Sequence, residues 1–232
     1  MDGVYEVNEL PVDIPYERWV EHVFDHPVLT KNWWWHLSGP HAESWDCESD
    51  PARTLSLMTR LFKESGELDQ RYSRAQIDQG LNYLVSSSCS NHMFAILDEG
   101  LPLEDRLSCI AAIGDLHEDL LARVYGDDIA HGSGSKDVNF ALYMWWDIAP
   151  LYGAMQVKNL AAYNRAILSL FERILKLKSE ACVESALHGL GHWHMYCSRE
   201  VERIVGEFLK ERKDLSRSLR SYAEAARKGQ VQ

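Results

Sequence analysis

Between Ser179 and Leu209 the chain carries two successive helical patterns with no residues left over for a loop. Ser179 can cap a helix over 180–196, and Glu180 suits the positive end of its dipole. Val183, Ala186, Leu187, Leu190, Trp193 and Cys197 then form one apolar stripe at 3.6-residue spacing. Glu184, His188 and His192 recur every four residues on a different face. Gly189 and Gly191 each cost roughly 1 kcal/mol against alanine inside a helix, so the close approach of another backbone is expected there. Ser198 can cap a second helix, whose Val201, Ile204, Val205, Phe208 and Leu209 repeat the i, i+3, i+4 template. Two helices joined this tightly are read as an αα-hairpin.

The rest of the chain reads the same way. Pro15 opens a helix with Trp19, Val20, Val23 and Phe24 on its inner face. Asp50-Pro51 is a cap followed by proline at the first helical position. Ser73 and Gln76 form a capping box ahead of Ile77, Leu81, Leu84 and Val85. Further helices are expected at 91–98, from Pro102 to about 125, from Asp137 to Ile148, near 157–177, and at the C-terminus through Leu215, Leu219, Tyr222 and Ala226. Residues 126–136 form the clearest loop. No segment alternates as a strand does, so the expected fold class is all-α.

Apolar-Gly-x-apolar occurs at Ile113–Leu116, Tyr152–Met155 and Leu190–Trp193, with glycines 39 and 38 residues apart. That period falls in the range of HEAT and armadillo repeats. Gln76–Leu81, Met144–Ile148 and Ser179–Trp193 carry a resemblance to a group of uncharacterised bacterial proteins with a HEAT-like helical fold. It spans 73–125 and 137–209, and it implies stacked antiparallel helix pairs, an α-α superhelix, without implying an activity. The expected organisation is an aromatic, acidic helical section over 1–72 packed on a HEAT-like region over 73–232.

Charge narrows the partners. The formal net charge is −11, and residues 1–50 hold eleven acids against Arg18 and Lys31 alone. Such a chain repels nucleic-acid phosphate and attracts basic surfaces. The basic residues of 210–232 are interleaved with acids and fit a solvated helix face. No apolar run reaches membrane-spanning length and the first residues are acidic. Five widely spaced cysteines include no Cys-x-x-Cys pair. A reduced, cytoplasmic protein is expected, with no membrane, no nucleic acid and no cofactor.

The chemistry is sparse. There is no phosphate-loop spacing around Gly132–Lys136, no Gly-x-Ser-x-Gly elbow and no Glu-x-x-His pair. The leading expectation is therefore a non-enzymatic protein-binding module for a basic protein, with bacterial toxin immunity as its most concrete form. Its candidate contacts are Trp33, Trp34, Trp35, Glu43, Trp45, Asp46, Glu48 and Asp50, aromatic area among carboxylates. At least one tryptophan of each run, 33–35 and 145–146, should leave the core, because neighbours on a helix diverge by about 100°. The alternative is a metal-dependent enzyme or metal-binding protein using Glu184, His188 and His192. Gly189 stands where a zincin motif needs glutamate, so the pair is expected to line a surface or groove. Asp147 is expected to cap or pair locally with Arg or Lys.

Overall fold

The computed structural model describes residues 7–29, 33–35, 43–130, 140–151 and 158–231. They form α1 (Tyr16–Phe24), α2 (Pro51–Lys63), α3 (Leu68–Arg71), α4 (Arg74–Val85), α5 (Leu103–Leu116) and α6 (Ala122–Tyr125). These are followed by α7 (Phe140–Tyr143), α8 (Trp145–Ile148), α9 (Leu160–Ile174), α10 (Glu180–Glu211) and α11 (Arg217–Ala226). A 3-10 turn at His92–Ile96 stands where a short helix is expected. A π turn over His117–Leu121 runs α5 into α6, so the segment after Pro102 is continuous to Tyr125. The protein is mostly helical.

N-caps begin the helices where the sequence places them. Asp50 accepts from Arg53 N, and Ser179 accepts from Cys182 N. Ser73 and Gln76 exchange both bonds of the capping box. The two predicted helices of 180–209 follow one another within α10 across a kink. α10 is interrupted only at Cys197, whose φ of −138° and ψ of 50° leave the helical region, and Ser198 begins the next stretch.

One element is unanticipated. Asn8–Leu10 (β1) pairs in parallel with Glu43–Trp45 (β2), Leu10 opposite Trp45. Three residues are too few to show an alternating pattern, and the partner lies far along the chain, so local sequence holds no trace of it.

Buried apolar side chains from Ile14 to Ala226 make one continuous cluster. The longer helices pack in series: α2 on α5, α5 on α9, α9 on α10, and α10 on α11, of which only the last two pairs are consecutive in the chain. Gly80 lets Phe24 of α1 lie on α4, since a Cβ there would meet Phe24 Cδ1 at 2.3 Å. Arg173 ties α9 to α5 and its π turn by bonding Asp115 and Glu118, each at 2.7 Å. Among the described residues, no helix is long and apolar enough to cross a membrane.

The first half of α10 is buried on all sides. Ala181 through Gly191 are buried without a break, because α6, α7, α8, α9 and α11 all pack against this helix. The wheel therefore predicts the apolar stripe correctly but not the fate of the opposite face. There Glu184 and His188 are only 1% exposed.

Candidate functional site

The expected His188–His192 pair lies between α10 and the short α8. Trp145 and Trp146 are 0% and 1% exposed, contrary to the expectation that one of them leaves the core. α8 is wedged between α4 and α10, so both of its flanks are covered. Trp146 donates from Nε1 to Ser185 Oγ at 3.0 Å, and its ring meets Phe171 edge-on. Gly189 makes this possible: a Cβ would meet Phe171 Cε1 at 2.4 Å and Trp146 Cγ at 2.9 Å. The close neighbours at both glycines are side chains, Val231 in the case of Gly191, and not the backbone expected from the sequence.

With Trp146 locked, the next residue is aimed at α10. Asp147 Oδ2 lies 2.7 Å from His188 Nε2, and Asp147 Oδ1 lies 3.0 Å from His192 Nε2. The two Nε2 atoms are themselves 3.0 Å apart. Asp147 thus pairs with two histidines on another helix, which corrects the expectation of a local cap or an Arg or Lys partner. Burial favours the neutral acid, yet hydrogen bonds and charge from His188 and His192 hold the carboxyl well below the usual carboxylate range.

The predicted third member, Glu184, is elsewhere. Its Oε2 accepts from Ala130 N at 2.6 Å, which binds the loop after α6 to α10. On a helix Glu184 and His188 lie one turn apart, but Asp147 comes in across the His188–His192 edge. Asp147, His188 and His192 are the group among the described residues whose ligand atoms converge.

A second layer lies behind His188. Its Nδ1 hydrogen-bonds the Tyr222 hydroxyl of α11. Tyr222 and Tyr143 of α7 have their oxygens 3.1 Å apart. Burial raises both phenols above their ordinary value, so both stay protonated. His188 is 2% exposed at its side chain, Asp147 28% and His192 35%, so the triangle is closed on the α11 side and opens to solvent at His192.

Among the N-terminal candidates, the described tryptophans are placed differently from their expected role, while Asp46 and Glu48 are exposed. Trp33, Trp34 and Trp45 are buried. Trp33 stacks on His26 at 3.7 Å, Trp34 lies 5.8 Å from Tyr83, and Trp45 stacks against His92. Their rings fill the join between α1, α4 and the 92–96 turn. The side chain of Trp35 lies outside the described residues, as do residues 131–136 of the predicted loop and 152–155 of the repeat. Glu43 bonds Arg18 and lies 3.6 Å from His22 Nδ1. Asp46 accepts from Glu48 N and Ser49 N, Glu48 accepts from Asn91 Nδ2, and Asp50 caps α2. No tryptophan among Trp33, Trp34 and Trp45 presents a ring to a partner.

Sequence reasoning finds two corners of the triangle and misses Asp147, Tyr143 and Tyr222. Tyr222 reads as the core residue of a terminal helix, which it also is. The available signal for Asp147 is its place directly after two tryptophans, since an acid beside buried rings needs a partner. Comparison with models of protein families, with curated proteins and with solved structures finds no match.

Proposed function

We propose that the protein binds one divalent transition-metal ion of the zinc class at Asp147, His188 and His192. The observation that carries this reading is the three-sided contact of Asp147 with the two Nε2 atoms. Carboxylate oxygens only accept. If both Nε2 atoms bear protons, two N–H groups confront each other at 3.0 Å. If one is bare, it faces an Asp147 oxygen with no proton between them. No neutral tautomer satisfies all three sides. A central cation does, because each corner then directs a lone pair at it.

The size also fits. Zinc–ligand distances of about 2.0–2.1 Å in a tetrahedron require ligand atoms about 3.3 Å apart. The observed 2.7–3.0 Å separations open to that by about 0.3–0.6 Å. Two imidazoles and one carboxylate suit zinc, and also the iron(II) of His-His-carboxylate sites. The exposed side at His192 is where water completes the shell. This reading replaces Glu184 by Asp147 in the metal set expected from sequence, and the proposal is metal binding, without an assigned reaction.

Elemental analysis of protein purified without chelator or polyhistidine tag tests it. About one zinc per chain, lost in Asp147→Ala and in the more exposed His192→Ala, is expected. Absence of stoichiometric metal together with no zinc uptake by calorimetry sinks the proposal.

A second reading keeps the basic-protein partner. Glu9, Asp13, Glu17, Glu21, Asp25, Asp46 and Glu48 are all exposed in the N-terminal section, and that charge supports fast, salt-sensitive association with a Lys- or Arg-rich surface. It rests on charge alone, without the tryptophan rings. Toxin immunity in a bacterial cytoplasm is its most specific form. Capture of only acidic or neutral proteins in a low-salt pull-down would reject it. We further propose that the serial packing of α5, α9 and α10 belongs to a HEAT-like stack of helix pairs, as the resemblance over 73–125 and 137–209 implies.

A further inference from the structure

The C-terminal helix reaches the metal triangle through one hydroxyl. α11 is docked by Leu219, Tyr222, Ala223 and Ala226, which are at most 4% exposed. Ser216 caps it by accepting from Leu219 N. The residues after it fold back on α10: Val231 sits over Gly191, and Gly229, at φ +67°, lies against His194. Within this cover Tyr222 is the residue whose polar end points at the site. Its ring is nearly parallel to that of His188, at 3°, and its hydroxyl meets His188 Nδ1. The Tyr143 oxygen lies 3.1 Å from that hydroxyl, and the Tyr143 ring packs 4.5 Å from that of His188.

The hydrogen bond bears on which nitrogen can bind a metal. His188 Nε2 can ligate only when its proton is gone, and neutral imidazole then carries its proton on Nδ1. A buried Nδ1–H needs an acceptor, and Tyr222 Oη is in place to be one. The Tyr222 O–H in turn has the Tyr143 oxygen within reach. Without metal the same bond can run in reverse, with Tyr222 donating to Nδ1 and Nε2–H donating to Asp147. Tyr222 therefore serves both states, but only while α11 is docked.

We propose that Tyr222 is the positioning residue of the metal site, fixing His188 with Nε2 free to ligate, so that metal binding and docking of α11 are thermodynamically linked. This rests on the metal reading of Asp147, His188 and His192. Linkage is reciprocal: if a docked α11 raises affinity for the ion, the ion must stabilise docked α11 by the same factor. Outer partners of ligating histidines commonly change metal affinity about 10- to 100-fold.

The test uses the full chain, with zinc and cobalt(II) as probes. Zinc affinity is measured by competition for the wild type, Tyr222→Phe and Tyr143→Phe. Tyr222→Phe keeps the ring that packs α11 and removes only the oxygen, and circular dichroism checks that it folds. The expected result is about 10- to 100-fold weaker zinc binding, an altered visible absorption band of bound cobalt(II), and slower amide exchange across 217–226 when zinc is added to the wild type. The band reports the ligand field, which a purely structural loss would leave unchanged. Tyr143→Phe should weaken binding less, since it keeps the ring that packs 4.5 Å from His188 and removes only a hydroxyl that bonds Tyr222 rather than the ligand. Wild-type zinc affinity and cobalt spectrum in Tyr222→Phe would overturn the positioning role while leaving the metal site standing. Zinc-independent exchange across 217–226 would overturn the linkage. A wild type that takes up no metal would overturn the metal reading and this inference with it.

Discussion

Asp147 and His188 are 41 residues apart in sequence, and Asp147 Oδ2 lies 2.7 Å from His188 Nε2. The contact exists because Trp146, the residue before Asp147, is pinned between Ser185 and Phe171 on the neighbouring helices. The carboxylate is thus aimed by the packing of an adjacent tryptophan, with the histidines held one turn apart on a helix buried around its first half.

Zinc should raise the melting temperature, and chelator should lower that of protein isolated with metal. At a free concentration of about 100 times Kd, an ion that binds only the folded chain adds about 2.7 kcal/mol. For a chain of this size that is a shift of about 5–10 °C. Differential scanning fluorimetry with and without zinc checks it, and Asp147→Ala should show no shift.

Gly189→Ala should destabilise the fold although it improves helix propensity. The propensity gain is about 1 kcal/mol. The added methyl must displace Phe171 and Trp146 from 2.4–2.9 Å, and such overpacking costs about 1–3 kcal/mol. Urea unfolding should show a net loss. Because Trp146 carries Asp147, zinc affinity should fall too, and an unchanged affinity would separate the packing from the site.

Stability should fall on mild acidification. Burial lowers His92 to about 3 and His117 to about 4, and burial with the nearby His26 charge lowers His22 to about 4. An unfolded histidine titrates near 6.5. Between about pH 6.5 and 4 the unfolded chain takes up protons that the folded chain refuses, so stability drops as pH falls through that window. Each histidine contributes up to about 1.4 kcal/mol per pH unit. Chemical denaturation at pH 7, 6 and 5 measures the slope, and His92→Gln should flatten it. A pH-independent midpoint would contradict the burial of these rings.

Ser73→Ala should cost about 1 kcal/mol, since it removes the side chain that accepts from Gln76 N and the reciprocal geometry of the box. The measurement is the unfolding midpoint. No loss would mean that water replaces the cap.

The helices were legible because their cause is local. Asp50-Pro51, Ser73 with Gln76, and Ser179 each satisfy backbone donors within three residues, and apolar spacing at 3.6 marks the inner faces. The break at Cys197 was foreshadowed by a second cap at Ser198. His188 and His192 were legible as a pair for the same reason, because the helix itself sets their separation. The pairing of β1 with β2 was not, because three-residue strands leave no period to read.

The tertiary structure alone decided which face of each helix ends in water. The wheel that places Glu184, His188 and His192 together cannot know that the helices around α10 will bury the first two and leave His192 partly open. Nor can it know that Glu184 will be taken by Ala130 while Asp147 arrives from another element. The tryptophans of 145–146 reverse their expected exposure for the same reason: rings diverging by about 100° can both be buried when two or more elements flank a short segment. Spacing along one chain fixes the distance between neighbours on a helix. Which side chains converge from different helices is set by how the whole core packs, and in this protein that packing brings Asp147, His188, His192 and Tyr222 to one place.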